Sequence, residues 1–232
     1  MNAEFIFGGK LMSTTKKSNT KVLVECALLI AIATVLNVVC SFIPFLNLPF
    51  GGGFTICSML PIVLAAYRNG TKWGLLTGFV YAVVQMLLGF KTVSAFFMPS
   101  SDSYMVLWKA ICVCLIDYII YTVLGFGGIF RNKIKNPSAS LCVGSIVALS
   151  LRYLAHIISG YIFFGTWAEW FFSQDGFALG AKILEKFSGQ GLALLYSVIY
   201  NGLYMIPEII ITAIVALIIG RVPQITGKKS AE

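Results

Sequence analysis

Long apolar runs restrict the fold of this chain more than any other feature. The run 22–43 is about 22 residues long, which is enough for a helix to cross a hydrocarbon core ~30 Å thick. Inside a bilayer the backbone must satisfy its own hydrogen bonds, so only helices and closed barrels span it. A barrel would need segments of about ten residues with alternating polarity, whereas these runs are continuous. We therefore predict an all-α membrane protein.

The composition excludes the soluble and the disordered classes. Of the 232 residues, 58% are hydrophobic and only 11% are charged. Soluble domains carry about 25% charged residues, and disordered chains are polar. The net charge of +8 would suggest nucleic-acid binding in a soluble protein. Here we attribute it to membrane topology and expect a lipid bilayer, with no nucleic acid, as the environment.

The apolar runs predict six transmembrane helices in a single domain, residues 22–220, between a basic N-terminal segment, 1–21, and a basic tail, 221–232. The predicted spans are approximately 22–43, 54–67, 73–89, 105–130, 139–164 and 191–220. The second reaches only ~21 Å at ~1.5 Å per residue, so we expect it to be short, tilted or partly sheltered by protein.

Basic residues are distributed unequally between the two ends of these spans. Of the 17 Lys and Arg residues, twelve lie in the two terminal segments and in the connections 68–72 and 131–135. Four lie at the opposite ends of the spans, and Arg152 lies within the fifth. Because positive residues stay on the cytoplasmic side, we predict that both termini are cytoplasmic and that the connection 165–190 faces outward.

Five ionisable residues fall within the predicted spans, where such groups are costly and usually functional. They are Glu25, Asp117, Arg152, His156 and Glu208. Glu25 lies one turn from the end of its span and can reach the interface. Arg152 and His156 are four residues apart and share one helix face. A structural alternative remains open, in which Asp117 and Arg152 form an ion pair that sets helix register.

A candidate binding site combines one acid, one imidazole, one amide and tyrosines at similar depth. Asp117 would supply charge to a small cation, and aromatic rings would add cation–π attraction of ~2 kcal/mol when desolvated. Asn201 can both donate and accept hydrogen bonds. Tyr196 and Asn201 lie about 500° apart around their helix, so they can flank one ligand only in a groove between helices. His156 completes this set.

Catalytic and metal-binding patterns are missing from the sequence. There is one histidine, and the six cysteines lie in apolar stretches without paired spacing. Neither a nucleotide-binding loop nor the usual hydrolase and protease motifs occur. We therefore expect no catalytic residue, no metal and no cofactor, and any ATP hydrolysis would belong to separate subunits.

Several segments resemble the thiamine-specific S components of energy-coupling-factor (ECF) transporters. The most specific are Leu-Arg-Tyr-Leu-Ala-His-Ile-Ile-Ser-Gly-Tyr-Ile-Phe-Phe-Gly at 151–165 and Leu-Tyr-Ser-Val-Ile-Tyr-Asn-Gly-Leu-Tyr-Met-Ile-Pro at 195–207. The stretches 51–62 and 74–78 and the pair Asp117-Tyr118 match in order. The likeness covers most of residues 22–220.

This resemblance implies a six-helix subunit of the bacterial plasma membrane that captures thiamine from outside with high affinity. It would dock on a shared module of one transmembrane coupling protein and two ATPase subunits. The family's ligand-binding residues fall on Asp117, Tyr118, His156, Tyr196 and Asn201. A ring-stacking tryptophan of the family is Phe164 here, and a second could be either Trp167 or Trp170. The family's alanine motif for partner docking fits Ala27 and Ala31, which are spaced for close helix approach.

Three other interpretations stay open at this point. The chain could be an S component for a different small vitamin. It could be a free-standing secondary transporter with Asp117 and His156 as a proton relay, although it lacks the inverted repeats typical of that class. An intramembrane enzyme would need a nucleophile at matching depth, and none is evident.

The charge asymmetry generates a test of topology. We expect a membrane-impermeant thiol reagent added from outside to label Ser173→Cys and to miss Ser230→Cys, because the first lies in the predicted outer connection and the second in the cytoplasmic tail. The parent chain is the control for its own six cysteines. The reverse labelling pattern would contradict the predicted orientation.

Overall fold

The structure, a computed structural model, describes residues 18–48, 53–175 and 177–227. Most of the predicted basic segment 1–21 and the last part of the tail, from 228 onward, lie outside the described residues. The first two glycines of the stretch 51–62 also lie outside them.

The described chain is a bundle of α-helices, some of which continue as 3₁₀ helix. The α-helices are α1 (Asn19–Ser41), α2 (Leu60–Asn69), α3 (Thr71–Leu88), α4 (Phe90–Ala95), α5 (Leu107–Ile119), α6 (Pro137–Phe163), α7 (Ala168–Phe172), α8 (Gly180–Lys186), α9 (Gly189–Ile219) and α10 (Pro223–Thr226). The longer 3₁₀ segment, Ile120–Asn132, continues α5 directly. The predicted loops 90–104 and 165–190 thus contain short helices of their own.

Five helices in the described part of the chain are long and apolar enough to cross a membrane. They are α1, α3, α5 with its 3₁₀ continuation, α6 and α9. The second predicted span is α2, whose ten residues rise only ~15 Å. All residues from Leu60 to Tyr67 are buried, so protein surrounds this helix. It begins at Leu60 rather than near Phe54, because residues 53–59 enter the bundle as irregular chain.

The fourth predicted span differs from expectation in its helix type. We expected one continuous α-helix over 105–130, but the second half is the 3₁₀ segment Ile120–Asn132. Its glycines let it approach other backbones closely. A Cβ on Gly125 would overlap the backbone of Gly74 and Leu75, and one on Gly78 would lie 2.7 Å from the carbonyl oxygen of Tyr121. The spacing Gly74-x-x-x-Gly78 therefore serves close packing of α3 against this segment.

The basic ends of the helices meet at one end of the bundle. The Arg131 guanidinium donates to the carbonyl of Arg68 (2.6 Å), and Arg68 donates to the carbonyl of Gln224 (2.9 Å) and to the Glu25 carboxylate. Glu25 was expected only to reach the membrane interface. It instead ties α1 to the end of α2 through this ion pair. This arrangement collects basic residues from distant parts of the sequence on one side of the bundle.

Candidate functional site

A cavity of about 460 Å³ lies towards the other end of the bundle. Its volume falls within the range of small-molecule sites, roughly 300–1,000 Å³. Six of the eight residues predicted to bind the substrate line it, namely Asp117, Tyr118, His156, Phe164, Tyr196 and Asn201. The bundle thus collects these six in one cavity, and their part in ligand binding remains a prediction.

Asp117 and His156 form the polar centre of the cavity. Asp117 Oδ1 lies 3.1 Å from His156 Nδ1, which links α5 to α6. The His156 side chain is 8% exposed and the Asp117 side chain 22%. In a neutral imidazole whose Nδ1 carries the proton and donates to Asp117, Nε2 is an acceptor. Nε2 is buried and has no hydrogen-bond partner in the described part of the protein, so a ligand donor can satisfy it.

Asn201 connects α9 to α6 by hydrogen bonds, in addition to the ligand-binding role that the sequence predicts for it. Its Nδ2 donates to the carbonyls of Ser197 (2.8 Å) and His156 (3.2 Å), and its Oδ1 accepts the Tyr204 hydroxyl (2.6 Å). Both amide hydrogens therefore have partners, and one lone pair of Oδ1 remains for a ligand. Asn201 consequently fixes the position of His156 as well as lining the cavity.

Tyrosines at four-residue spacing form an aromatic wall on one face of α9. The ring centroids of Tyr196 and Tyr200 are 5.5 Å apart, and those of Tyr200 and Tyr204 are 6.4 Å apart. Phe164 at the end of α6 also lines the cavity and packs edge-on against Phe96 (6.1 Å). Such a wall offers ring faces and edges to a flat ligand.

The two candidate tryptophans are not among the residues that line the cavity. Their rings contact each other edge to face, with centroids 6.1 Å apart. Trp167 packs against the core from the 3₁₀ turn Gly165–Trp167, and Trp170 on α7 is 38% exposed. Of the three aromatic residues predicted to stack on the ligand at 164–170, Phe164 is therefore the one that lines the cavity.

Arg152 does not pair with Asp117, so the ion pair that the sequence left open as a way to set helix register does not form. Its Nη2 donates to the Tyr121 hydroxyl (2.8 Å), and the guanidinium lies over the Tyr121 ring at 4.1 Å. Its Nη1 contacts the sulfur atoms of Met59 (3.2 Å) and Met205 (3.3 Å). Arg152 is 6% exposed and belongs to the inner part of the cavity lining.

Several lining residues were missed by the sequence analysis. Gln85 on α3 accepts a hydrogen bond from Asn37 on α1 (3.0 Å), and both line the cavity. An amide within an apolar span was a usable signal for each. Tyr200 and Tyr204 could have been found from their spacing with Tyr196. Thr55 gave no such signal, because it lies in irregular chain.

The proposed docking residues lie on the outer surface of the bundle. Ala27 and Ala31 are exposed, whereas Ala33 on the same helix is completely buried. Exposed apolar neighbours, including Leu28 and Ile32, continue this surface. A role of Ala27 and Ala31 in packing inside the bundle therefore does not fit their position.

Among the described residues, no group of three or more His, Cys, Asp or Glu side chains is arranged to hold an ion. The site instead offers one carboxylate, one imidazole, one guanidinium and aromatic rings. This donor set suits a small organic ligand better than a metal ion.

Known proteins resemble the chain over most of its length. The family described as Thiamine transporter protein (Thia_YuaJ) matches residues 23–173. Thiamine transporter ThiT of Bacillus subtilis (strain 168) is 30% identical over 203 residues, which cover 83% of this chain and 86% of that protein. A solved structure of ThiT from Listeria monocytogenes has the same fold, with a TM-score of 0.59 and 22% identity, over 90% of this chain and 99% of that chain.

The geometry of Arg152 predicts the result of a double-mutant cycle. We expect Arg152→Met and Asp117→Asn each to lower the free energy of unfolding, with no recovery of stability in the double variant, because the two side chains form no ion pair and hydrogen-bond to different partners. Chemical unfolding in detergent measures the free energy of unfolding of the parent chain, the two single variants and the double variant. Recovery of stability in the double variant would instead restore the ion-pair interpretation.

Proposed function

Since the chain belongs to the thiamine transporter family, we propose that it is the thiamine-binding S component of an ECF-type importer. The observation that carries the proposal is the contact of Asp117 with His156 inside a cavity walled by aromatic rings. No catalytic role is proposed, and the chain acts as a binding and transport subunit.

The chemistry of the cavity complements that of thiamine. Thiamine carries a permanently positive thiazolium ring and an aminopyrimidine ring joined by one carbon. The Asp117 carboxylate would balance the positive charge in a cavity where an unpaired ion is costly. Aromatic faces at Tyr196 and Phe164 would pack against the flat rings. His156 Nε2, Asn201 Oδ1 and the Tyr118 hydroxyl would meet polar groups of the ligand.

The chain is a multi-pass membrane protein, and we propose the bacterial plasma membrane as its location, with both termini cytoplasmic. The basic residues collected around Arg68 and Arg131 support a cytoplasmic position for that end. The cavity would then open towards the outside, where thiamine is captured. In this arrangement α2 joins the five long helices as the remaining one of the six predicted spans, and protein surrounds it.

Transport would need partner subunits, since the chain has no nucleotide-binding motif. We propose that a transmembrane coupling protein docks on the exposed alanines of α1 and connects the chain to two ATPase subunits. Small exposed residues let a partner helix approach closely in a membrane. The exposure of Ala27 and Ala31 is the observation that supports this surface.

A second candidate function is favoured by the same hydrogen-bonded pair. Asp117 and His156, 3.1 Å apart, could pass a proton in a free-standing secondary transporter. Uptake into vesicles that contain this chain alone separates the two functions. Uptake by the chain alone, driven by a proton gradient, would support the relay. No uptake by the chain alone, with uptake restored when the partner subunits and ATP are added, would support the S component.

The charge of Asp117 gives the most direct test of thiamine binding. We expect Asp117→Asn to weaken binding at least tenfold, a loss of ~1.4 kcal/mol, because the variant keeps the shape of the side chain and removes its charge. Titration of the purified protein by tryptophan fluorescence measures the affinity. Asp102→Asn, which changes an exposed acid, is the matched control and should bind normally. Unchanged affinity in Asp117→Asn would remove this acid from the proposed site.

The docking surface predicts a separation of binding from transport. Replacement of Ala27 or Ala31 by Leu should abolish thiamine uptake in cells and leave binding to the purified chain intact, because both positions lie outside the cavity. Ala33→Leu is the contrasting variant, since that alanine is buried and its replacement should perturb the bundle itself. Loss of binding in the two exposed variants would mean that they act through internal packing.

A further inference from the structure

Glu208 is a buried acid that the proposed contacts with thiamine do not use. It lies on α9, one turn beyond Tyr204, and is 1% exposed. A carboxylate at this depth needs strong hydrogen bonds or a counter-charge. Its hydrogen bonds go to the irregular chain between α1 and α2.

The Glu208 carboxylate holds one residue of that chain by two hydrogen bonds. Oε2 accepts the backbone N–H of Thr55 (2.9 Å) and the Thr55 hydroxyl (2.7 Å). Because the Thr55 proton is given to the carboxylate, the Ser58 hydroxyl, 2.6 Å away, donates to Thr55 Oγ1.

The held segment forms part of the cavity wall. Gly53, Phe54 and Thr55 all line the cavity. The segment has little regular structure of its own, with one bridge between Asn47 and Gly53 and a hydrogen bond from Phe54 N to Leu46 O (2.8 Å). Among the described residues of the long helices α6 and α9, Glu208 is the one whose side chain hydrogen-bonds to Thr55.

The backbone beside Thr55 is in a conformation that needs such an anchor. Cys57 has a φ of 59°, in the left-handed region that non-glycine residues rarely adopt. Residues hold such a conformation only where their surroundings over-determine it. Two contacts hold the residues immediately before Cys57: Glu208 binds Thr55, and the Ile56 N–H donates to Cys40 Sγ on α1 (3.3 Å). The path of the wall is therefore set by tertiary contacts.

We infer that Glu208 is a positioning residue of the binding cavity, because its carboxylate anchors Thr55 and thereby fixes the wall formed by residues 53–55. The inference rests on the proposed function for its ligand. The wall retains the ligand once it is bound, so loss of the anchor should act chiefly on the dissociation rate. Asp117 and His156 themselves make none of these contacts.

The test compares dissociation of labelled thiamine from purified variants after dilution. We expect Glu208→Leu to release the ligand at least tenfold faster. Glu208→Gln should change the rate less than threefold, because the amide oxygen can accept both Thr55 hydrogen bonds. Ser145→Ala is the control, since it removes a buried hydrogen bond (2.8 Å) at a distance from the cavity. Equal acceleration by Gln and Leu would overturn the inference.

A double-mutant cycle separates anchoring from direct ligand contact by Thr55. Thr55→Val should accelerate release at least threefold in the wild-type background and less than twofold in the Glu208→Leu background, since the anchor is already lost there. Equal factors in the two backgrounds would contradict the inference. If Glu208→Leu does not fold, Thr55→Val alone decides, and an unchanged rate would overturn the anchor.

A second measurement does not depend on thiamine. Hydrogen–deuterium exchange should be at least tenfold faster in peptides that cover residues 53–59 of Glu208→Leu, with the α6 peptides unchanged. If the wild-type chain failed to bind thiamine, the proposed function would fail while this measurement still tested the anchor. Unaltered exchange in residues 53–59 would overturn the anchor whatever the ligand.

Discussion

The close approach of α6 and α9 is the contact on which the rest of the site depends. Gly160 makes it possible, since a Cβ there would lie 3.0 Å from Asn201 Nδ2 and 3.1 Å from Ser197 Cβ. At this distance the Ser197 hydroxyl donates to the Ile157 carbonyl (2.7 Å), and Asn201 reaches the His156 carbonyl. Interhelical hydrogen bonds of this kind are worth roughly 0.6–2 kcal/mol each in a membrane. They set His156 and the tyrosine wall of α9 in register.

The ionisable groups inside the bundle are each held by a partner from another element. His156 meets Asp117, Arg152 meets Tyr121, and Glu208 meets Thr55. These contacts join α5, α6, α9 and the chain before α2 around one cavity. Because a buried polar group without a partner is costly, the same contacts that stabilise the bundle also fix the positions of the groups that face the cavity. Binding and folding therefore share their polar residues in this protein.

The membrane fold could be predicted from the sequence in outline. Hydropathy locates α1, α3, α6 and α9 to within a few residues, since an apolar run of that length has few other structures open to it. The change to 3₁₀ helix after Ile119 was not predicted, and the segment meets the backbone of α3 only in the folded bundle. Glu25 was also misjudged, since its partner, Arg68, lies far along the chain and meets it only in the folded bundle.

For the site, the sequence by itself determined which residue types are present at membrane depth: an acid, an imidazole, an amide and tyrosines, together with further polar residues such as Gln85 and Arg152. The tertiary structure decided which of them meet. It paired Asp117 with His156 instead of Arg152, because helix packing and not chain spacing sets distances between helices. It also brought Thr55 to Glu208 across 153 positions. A contact between such distant residues follows from the path of the whole chain, which local patterns do not encode.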